Sequence, residues 1–300
     1  MSIYRIQLKA NKGGTISDQE LLEFCKKEKI IGAGWAKVDC KTNDFGIIKS
    51  QCSHFYPGDK GAPKAIHTLS LMKPGDFVWT RSGGRGSDYY LCRVDKRVWI
   101  NRNPKPEYYD YDVPNYVGCT WYYVGNVDDV PGRVVNSFRA SATVQSVNGV
   151  EAITHIIWNS LCKPEEKVKS VQTNKNDFWN MINPEELECL VFLYLQTKGY
   201  YVYSTYFKND TKTVEGVLVA KDGSHKCYPQ VKQNSKLDPE DYAQIVEETN
   251  NKVVLFSTSE NYGNTYPNVI CLKKSDLWKF IEHNKTIIPS HIQRWLNYVC

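Results

Sequence analysis

A polar break between Lys163 and Asn180 constrains the fold more than any other feature of the chain. Lys163-Pro164-Glu165-Glu166-Lys167, followed by Thr173-Asn174-Lys175-Asn176-Asp177, offers little apolar surface for a core, so a boundary is expected near residue 165. This reading gives a first domain over 1–164, a linker over 165–182 and a second domain over 183–300. A chain of 300 residues is long enough for two such cores.

The two sides of the break are patterned differently. Ile3 to Lys9 alternates like a strand, and Ser17-Asp18-Gln19-Glu20 has the spacing of a capping box that opens a helix of about ten residues. Strands are expected at Gly32 to Val38, Asp76 to Arg81, Tyr89 to Val98 and Trp121 to Val124, and a helix at Val147 to Leu161. The first domain is therefore read as a mainly β unit with short helices.

The second domain reads as a mixed sheet flanked by helices. Asn183-Pro184 starts a helix that Gly199 stops, and strands follow at Tyr200–Phe207, Thr213–Lys221 and Cys227–Gln233. A helix after Asp238-Pro239, strands at Val253–Ser257 and Val269–Leu272, and helices after Ser275 and Ser290 complete it.

This α-β-β-β-α-β order places one set of side chains suited to phosphodiester hydrolysis, which needs a divalent cation, oxygen ligands and a cationic group beside the attacked phosphorus. Glu188 lies on the first helix, Glu215 in the second strand, and Gln230 and Lys232 in the third. Residues 230 and 232 share a face of their strand, and the backbone carbonyl of Val231 adds an oxygen. The [QE]xK tripeptide itself is unspecific, since Gln7-Leu8-Lys9 and Glu165-Glu166-Lys167 also fit it. Only Gln230-Val231-Lys232 stands behind a helix with a carboxylate, a Gly-Tyr corner and Glu215.

With Glu186-Leu187-Glu188, Lys198-Gly199-Tyr200, Val214-Glu215-Gly216-Val217 and Pro229-Gln230-Val231-Lys232, about 100 residues resemble the Mrr-type branch of the PD-(D/E)xK nucleases. The resemblance implies a restriction-endonuclease-like α/β/α fold. It implies Glu188, Glu215, Gln230 and the Val231 carbonyl as ligands of Mg2+, with Mn2+ as a substitute, and a catalytic Lys232. Glu215 departs from the Asp usual at its position, which puts activity and metal choice in doubt more than fold.

The first half is more faintly similar to EVE/PUA-like β-barrel modules, through its opening strand, Gly32-Ala33-Gly34-Trp35, Lys73-Pro74-Gly75-Asp76-Phe77-Val78-Trp79 and Asp88-Tyr89-Tyr90-Leu91-Cys92-Arg93-Val94. Such modules hold an extruded base between aromatic walls, so Trp35, Trp79, Tyr89 and Trp121 are candidate base-binding residues. A core role competes for each of them, because strand aromatics favour packing. Arg81 and Arg85, in a glycine-rich loop, are candidate phosphate contacts. Charge agrees with a polyanionic partner: residues 1–160 carry 21 Lys+Arg against 16 Asp+Glu, whereas residues 161–300 carry 17 of each. The excess clusters in 81–105 among Tyr89, Tyr90 and Trp99, although a solvated basic face would look the same.

No CxxC pair occurs among ten cysteines, and Cys40, Cys52 and His54 lack a fourth zinc ligand at a suitable spacing. The start lacks the apolar block of a secretory signal, and the richest apolar run, Cys189 to Leu195, is far short of the roughly 20 residues that span a bilayer. A cytoplasmic protein is expected.

Joined together, these readings predict a modification-dependent restriction or defence endonuclease. The first domain would read a modified base in double-stranded DNA, and the second would cut with Mg2+ as a homodimer or higher assembly. A catalytically inactive DNA- or RNA-binding protein on a nuclease fold is the alternative.

Overall fold

The computed structural model describes all residues except 11–14, 39–42, 84–87, 97–104, 170, 204–213, 248–250 and 300. The chain is mixed α/β and forms two compact units, Met1–Met181 and Ile182–Tyr298, each built around its own sheet.

In the first unit β1 (Ile3–Ile6), α1 (Asp18–Glu28) and β2 (Ile30–Ala33) lead to two helices, α2 (Phe45–Phe55) and α3 (Ala62–Ser70). Next come β3 (Phe77–Arg81), β4 (Tyr89–Lys96), α4 (Pro106–Asp110), β5 (Asn115–Gly125) and α5 (Gly132–Ser137). The unit closes with β6 (Val144–Ser146), α6 (Glu151–Leu161) and α7 (Lys175–Met181). The expected capping box is formed: Ser17 accepts from the Glu20 amide while Glu20 accepts from that of Ser17. Several strands differ from expectation, and β6 is not among those expected. β2 ends at Ala33, before the Trp35 turn, and β5 begins at Asn115 rather than near Trp121.

The strands run β2-β5-β4-β3-β1-β6, antiparallel throughout except for the parallel β1–β3 pair. Although far apart in this order, β1 and β2 approach each other, so the sheet curls. Period-two alternation gives each side of the sheet its own core. Tyr4, Ile6, Val78 and Cys92 pack with Leu21, Leu22 and Cys25 of α1 on one side. On the other, Phe77 and Trp79 meet Trp158 and Thr154 of α6.

The segment 165–182 is not a free linker, and this corrects the sequence expectation. Asn159 exchanges hydrogen bonds with the Val168 backbone at 2.8 Å, and the Glu166 carbonyl accepts from the Trp158 indole at 3.0 Å. Phe178, Trp179 and Met181 of α7 are buried. Those apolar residues, just past the polar run, draw the segment into the first core.

The second unit has α8 (Pro184–Thr197), β7 (Tyr200–Val202), β8 (Leu218–Ala220), β9 (Lys226–Lys232), α9 (Ala243–Glu247), β10 (Lys252–Ser257), β11 (Val269–Leu272), α10 (Lys274–His283) and α11 (Ser290–Leu296). The order is β11-β10-β9-β8-β7, with β9, β10 and β11 parallel and β7, β8 and β9 antiparallel. α8 begins with the Asn183 cap and Pro184 in its first turn, and Gly199 follows it at φ +88°, a left-handed position that suits glycine.

Among the described residues, no helix is long and apolar enough to cross a membrane.

Candidate functional site

In the second unit the site lies toward the C-terminal end of β9. Registered neighbours share a face, so Tyr228, Gln230 and Lys232 stand beside Val253, Leu255 and Ser257 of β10. That face is covered by a cluster of Val214, Leu237, Tyr242, Val246, Val253 and Leu255. The opposite parity, Cys227, Pro229 and Val231, faces the other way, as does Gln233, which donates to the Ile182 carbonyl at 3.1 Å just ahead of α8.

Glu215 is not within a strand, as expected from the sequence, but at a bend ahead of β8. Its amide donates to the Pro229 carbonyl at 2.9 Å, which holds it against β9. One carboxylate oxygen, Oε1, accepts from Lys232 Nζ at 2.9 Å and from Gln230 Nε2 at 3.3 Å. Lys232 and Glu215 are partly exposed, at 45% and 18% of their side chains, so the ion pair is worth at most about 1 kcal/mol to the fold. Gln230 is buried, and its other amide atom, Oε1, has no hydrogen-bond partner among the described residues. A buried carbonyl oxygen left this way is costly unless something else meets it.

Backbone parity adds a further oxygen. The Pro229 carbonyl points toward the Glu215 side and the Lys232 carbonyl toward β10, where it accepts from Thr258 at 3.2 Å. The Val231 carbonyl, two residues from Pro229, therefore points toward the Glu215 side. Tyr242 closes the site from the covering layer. Burial, reinforced by Asp241 and then Glu215, pushes its phenol up to about 12.

Glu215, Gln230 and Lys232 are thus in direct contact. Glu188 is half-buried on α8, which packs against β9. Its neighbour Glu186 is used in the helix cap, accepting from the Asn183 amide at 2.6 Å. Among the described residues no three His, Cys, Asp or Glu side chains are grouped to hold a metal. The donors that are present still suit Mg2+, which is commonly held by one or two carboxylates with waters completing the shell. Glu215, the unpartnered Gln230 oxygen and the Val231 carbonyl are such a partial set.

In the first unit the aromatic candidates separate. Trp79 is fully buried and donates its indole N–H to Thr154 Oγ1 at 3.2 Å, and Tyr89 is buried edge-on to Phe138. Both are core residues rather than pocket walls, a correction explained by the helices that cover their face of the sheet. Trp121 is half-buried, edge-on to Tyr90, and donates to the Ile30 carbonyl at 3.2 Å. Arg81 lies over the Phe138 ring and donates to the Tyr89 hydroxyl at 3.4 Å, while Arg85 lies outside the described residues. Cys52 is buried and His54 exposed against Phe55, with Cys40 outside the described residues.

Trp35 remains, in an unusual conformation. Its φ is +66°, a left-handed value that is uncommon for a bulky residue and costs about 1–3 kcal/mol. Surrounding bonds hold it there. Asn115 Nδ2 donates to the Gly34 carbonyl at 2.5 Å and to that of Trp35 at 3.3 Å, and the Trp35 indole donates to Asp59 Oδ2 at 2.9 Å. Asn115 and Asp59 escaped sequence reasoning because they are remote from Trp35 along the chain.

No protein-family model matches the chain, and no curated protein matches its sequence.

Proposed function

We propose that the protein is a metal-dependent DNA endonuclease of the modification-dependent restriction type, in which the second unit hydrolyses the phosphodiester and the first selects a modified base. The observation that carries this reading is the contact of Lys232, Glu215 and Gln230, with a buried Gln230 oxygen turned toward no partner among the described residues. Glu215, Gln230 Oε1 and the Val231 carbonyl would hold Mg2+ or Mn2+. When bound, the cation supplies Lewis-acid polarisation of a phosphoryl oxygen. Lys232, released from Glu215, orients the attacking water and offsets charge that builds on the phosphate oxygens. Tyr242 excludes solvent from one side of Glu215. None of these groups reads a base, so selection falls to Trp35 in the first unit, and cutting two strands calls for a dimer or higher assembly on DNA.

The test is cleavage of unmodified and cytosine-modified plasmid with Mg2+ or Mn2+, comparing the intact chain with Lys232→Ala. Loss of a positioned acid–base or electrostatic group costs about 10²–10³-fold, so the variant should cut at least a hundredfold more slowly with little change in thermal stability. Equal rates would remove Lys232 from the chemistry. A second reading, a non-cleaving nucleic-acid-binding protein, is favoured by one observation: the Lys232–Glu215 pair is already closed on itself. Retained binding without cleavage under either cation would select it.

A further inference from the structure

Beside the Gly34–Trp35 turn lies a carboxylate, that of Asp112, with no protein donor among the described residues. A Cβ added at Gly34 would fall 2.6 Å from both carboxylate oxygens of Asp112, so this acid lies directly against the Gly34 backbone, and only glycine leaves room for it. Asp112 is half-buried, and among the described residues its carboxylate has neither a hydrogen-bond donor nor a cationic partner. Burial is the only influence on its carboxyl, which it pushes above the usual range. Its own φ of +50° is the ordinary left-handed residue after a helix, with its amide bonded to the Tyr109 carbonyl, and makes no demand on the side chain. The carboxylate is partly withdrawn from water with no protein donor to offset that cost, yet its oxygens are not sealed off, so a ligand that brings an N–H can reach them.

The neighbouring groups indicate what that ligand presents. Trp35 is half-buried against two hydrophobic clusters, which leaves part of its indole open, and it is held in a strained conformation by Asn115 and Asp59. Tyr111, the residue before Asp112, lies stacked on Phe24 with ring centres 4.0 Å apart and planes 6° from parallel, which fixes the approach of the chain to Asp112. A flat surface next to a bare acceptor suits a planar ring that carries an N–H donor at its edge.

We propose that Asp112 accepts from the exocyclic amino group of a nucleobase stacked on Trp35, so that the first unit selects amino-bearing bases over their oxo counterparts. This deepens, and rests on, the reading of that unit as a base reader.

5-Methylcytosine and thymine make the comparison clean, because they differ at the ring edge by a 4-amino against a 4-oxo group and the N3 proton. Each is placed opposite an abasic site in an otherwise identical duplex, so that pairing strength does not enter, and binding by the intact chain is measured without divalent cation. The wild type should prefer 5-methylcytosine by about tenfold, the scale of one good base-edge contact. Asp112→Asn, whose amide can donate to a 4-oxo group, should bring the two duplexes within about threefold or reverse their order. Asp112→Leu should lose the preference by weakening 5-methylcytosine binding alone, and thermal unfolding of both variants checks that Trp35 stays in place. Equal binding of the two duplexes by the wild type, or an unchanged ratio in Asp112→Asn, overturns the assignment of Asp112 while leaving the reader intact. Failure of the wild type to bind either duplex overturns the reader and this assignment together.

Discussion

Replacing Gln230 by Glu probes the metal reading through stability. Gln230 is 5% exposed and in contact with Glu215, so the substitution puts a second carboxyl where solvent does not reach. Without a cation the new group must stay protonated at neutral pH. Holding a Glu neutral about three units above its ordinary value costs about 4 kcal/mol, and the half-exposed Lys232 offsets part of it, leaving about 2–4 kcal/mol. In a unit of this size that lowers Tm by roughly 10–20 °C. A divalent cation at about a hundred times its Kd returns about 2.7 kcal/mol, or on the order of 10 °C, because the variant offers two carboxylates. The assay is thermal unfolding of wild type and Gln230→Glu with EDTA, Mg2+ or Mn2+, following the transition of the second unit. A cation-induced rise that is larger in the variant than in the wild type is the expected result. A fall in Tm that neither cation reverses would refute the assignment of these oxygens as ligands.

Trp79→Ala should destabilise the first unit by about 3–5 kcal/mol, the range for emptying a buried aromatic site, whereas Trp35→Ala, at a half-buried site, should cost less stability and weaken modified-DNA binding. Denaturant midpoints and a binding titration separate the two, and a mild effect at Trp79 would reopen its pocket role. Burial lowers the pKa of His155, which packs on Phe77. Below its unfolded value of about 6.5 the unfolded chain takes up the proton first, so this contribution to stability is present at higher pH and is lost as pH falls through that value toward the lower folded one. Urea midpoints of the first unit should decline from pH 7.5 to 5, and His155→Phe should flatten that slope; an identical slope in the variant would exclude His155 as its source.

Much of the second unit was legible because its signals are local. Asn183-Pro184 and Gly199 bracket α8 through caps, and the spacing of Gln230 and Lys232 puts them on one face whatever the neighbours are. Side-chain faces across elements are a different matter. Nothing in Glu186-Leu187-Glu188 says which side of the sheet the helix covers, so whether Glu188 joins the other three is not legible from the sequence. In the first half, Trp35 and Trp79 look alike as strand-associated tryptophans. Their separation depends on α6, which meets Trp79 through Thr154, 75 positions away. Polar residues mark a free linker only when no apolar anchor follows, and here Phe178-Trp179 follows directly.

Pro229 gives the second sheet an uneven hierarchy of opening. Having no amide hydrogen, it cannot donate to the β8 side, where among the described residues the ladder consists of Leu218 and Val219 paired with Cys227 and Lys226. On its other edge β9 is zipped to β10 from Cys227 through Lys232. Local unfolding should therefore detach the Glu215 side first and leave the Gln230–Lys232 side attached, so that hydrogen exchange at Glu215 and along β8 runs ahead of exchange in β10. The two halves of the candidate site then belong to cooperative units of different stability, and a ligand gripping both would slow exchange most on the Glu215 side.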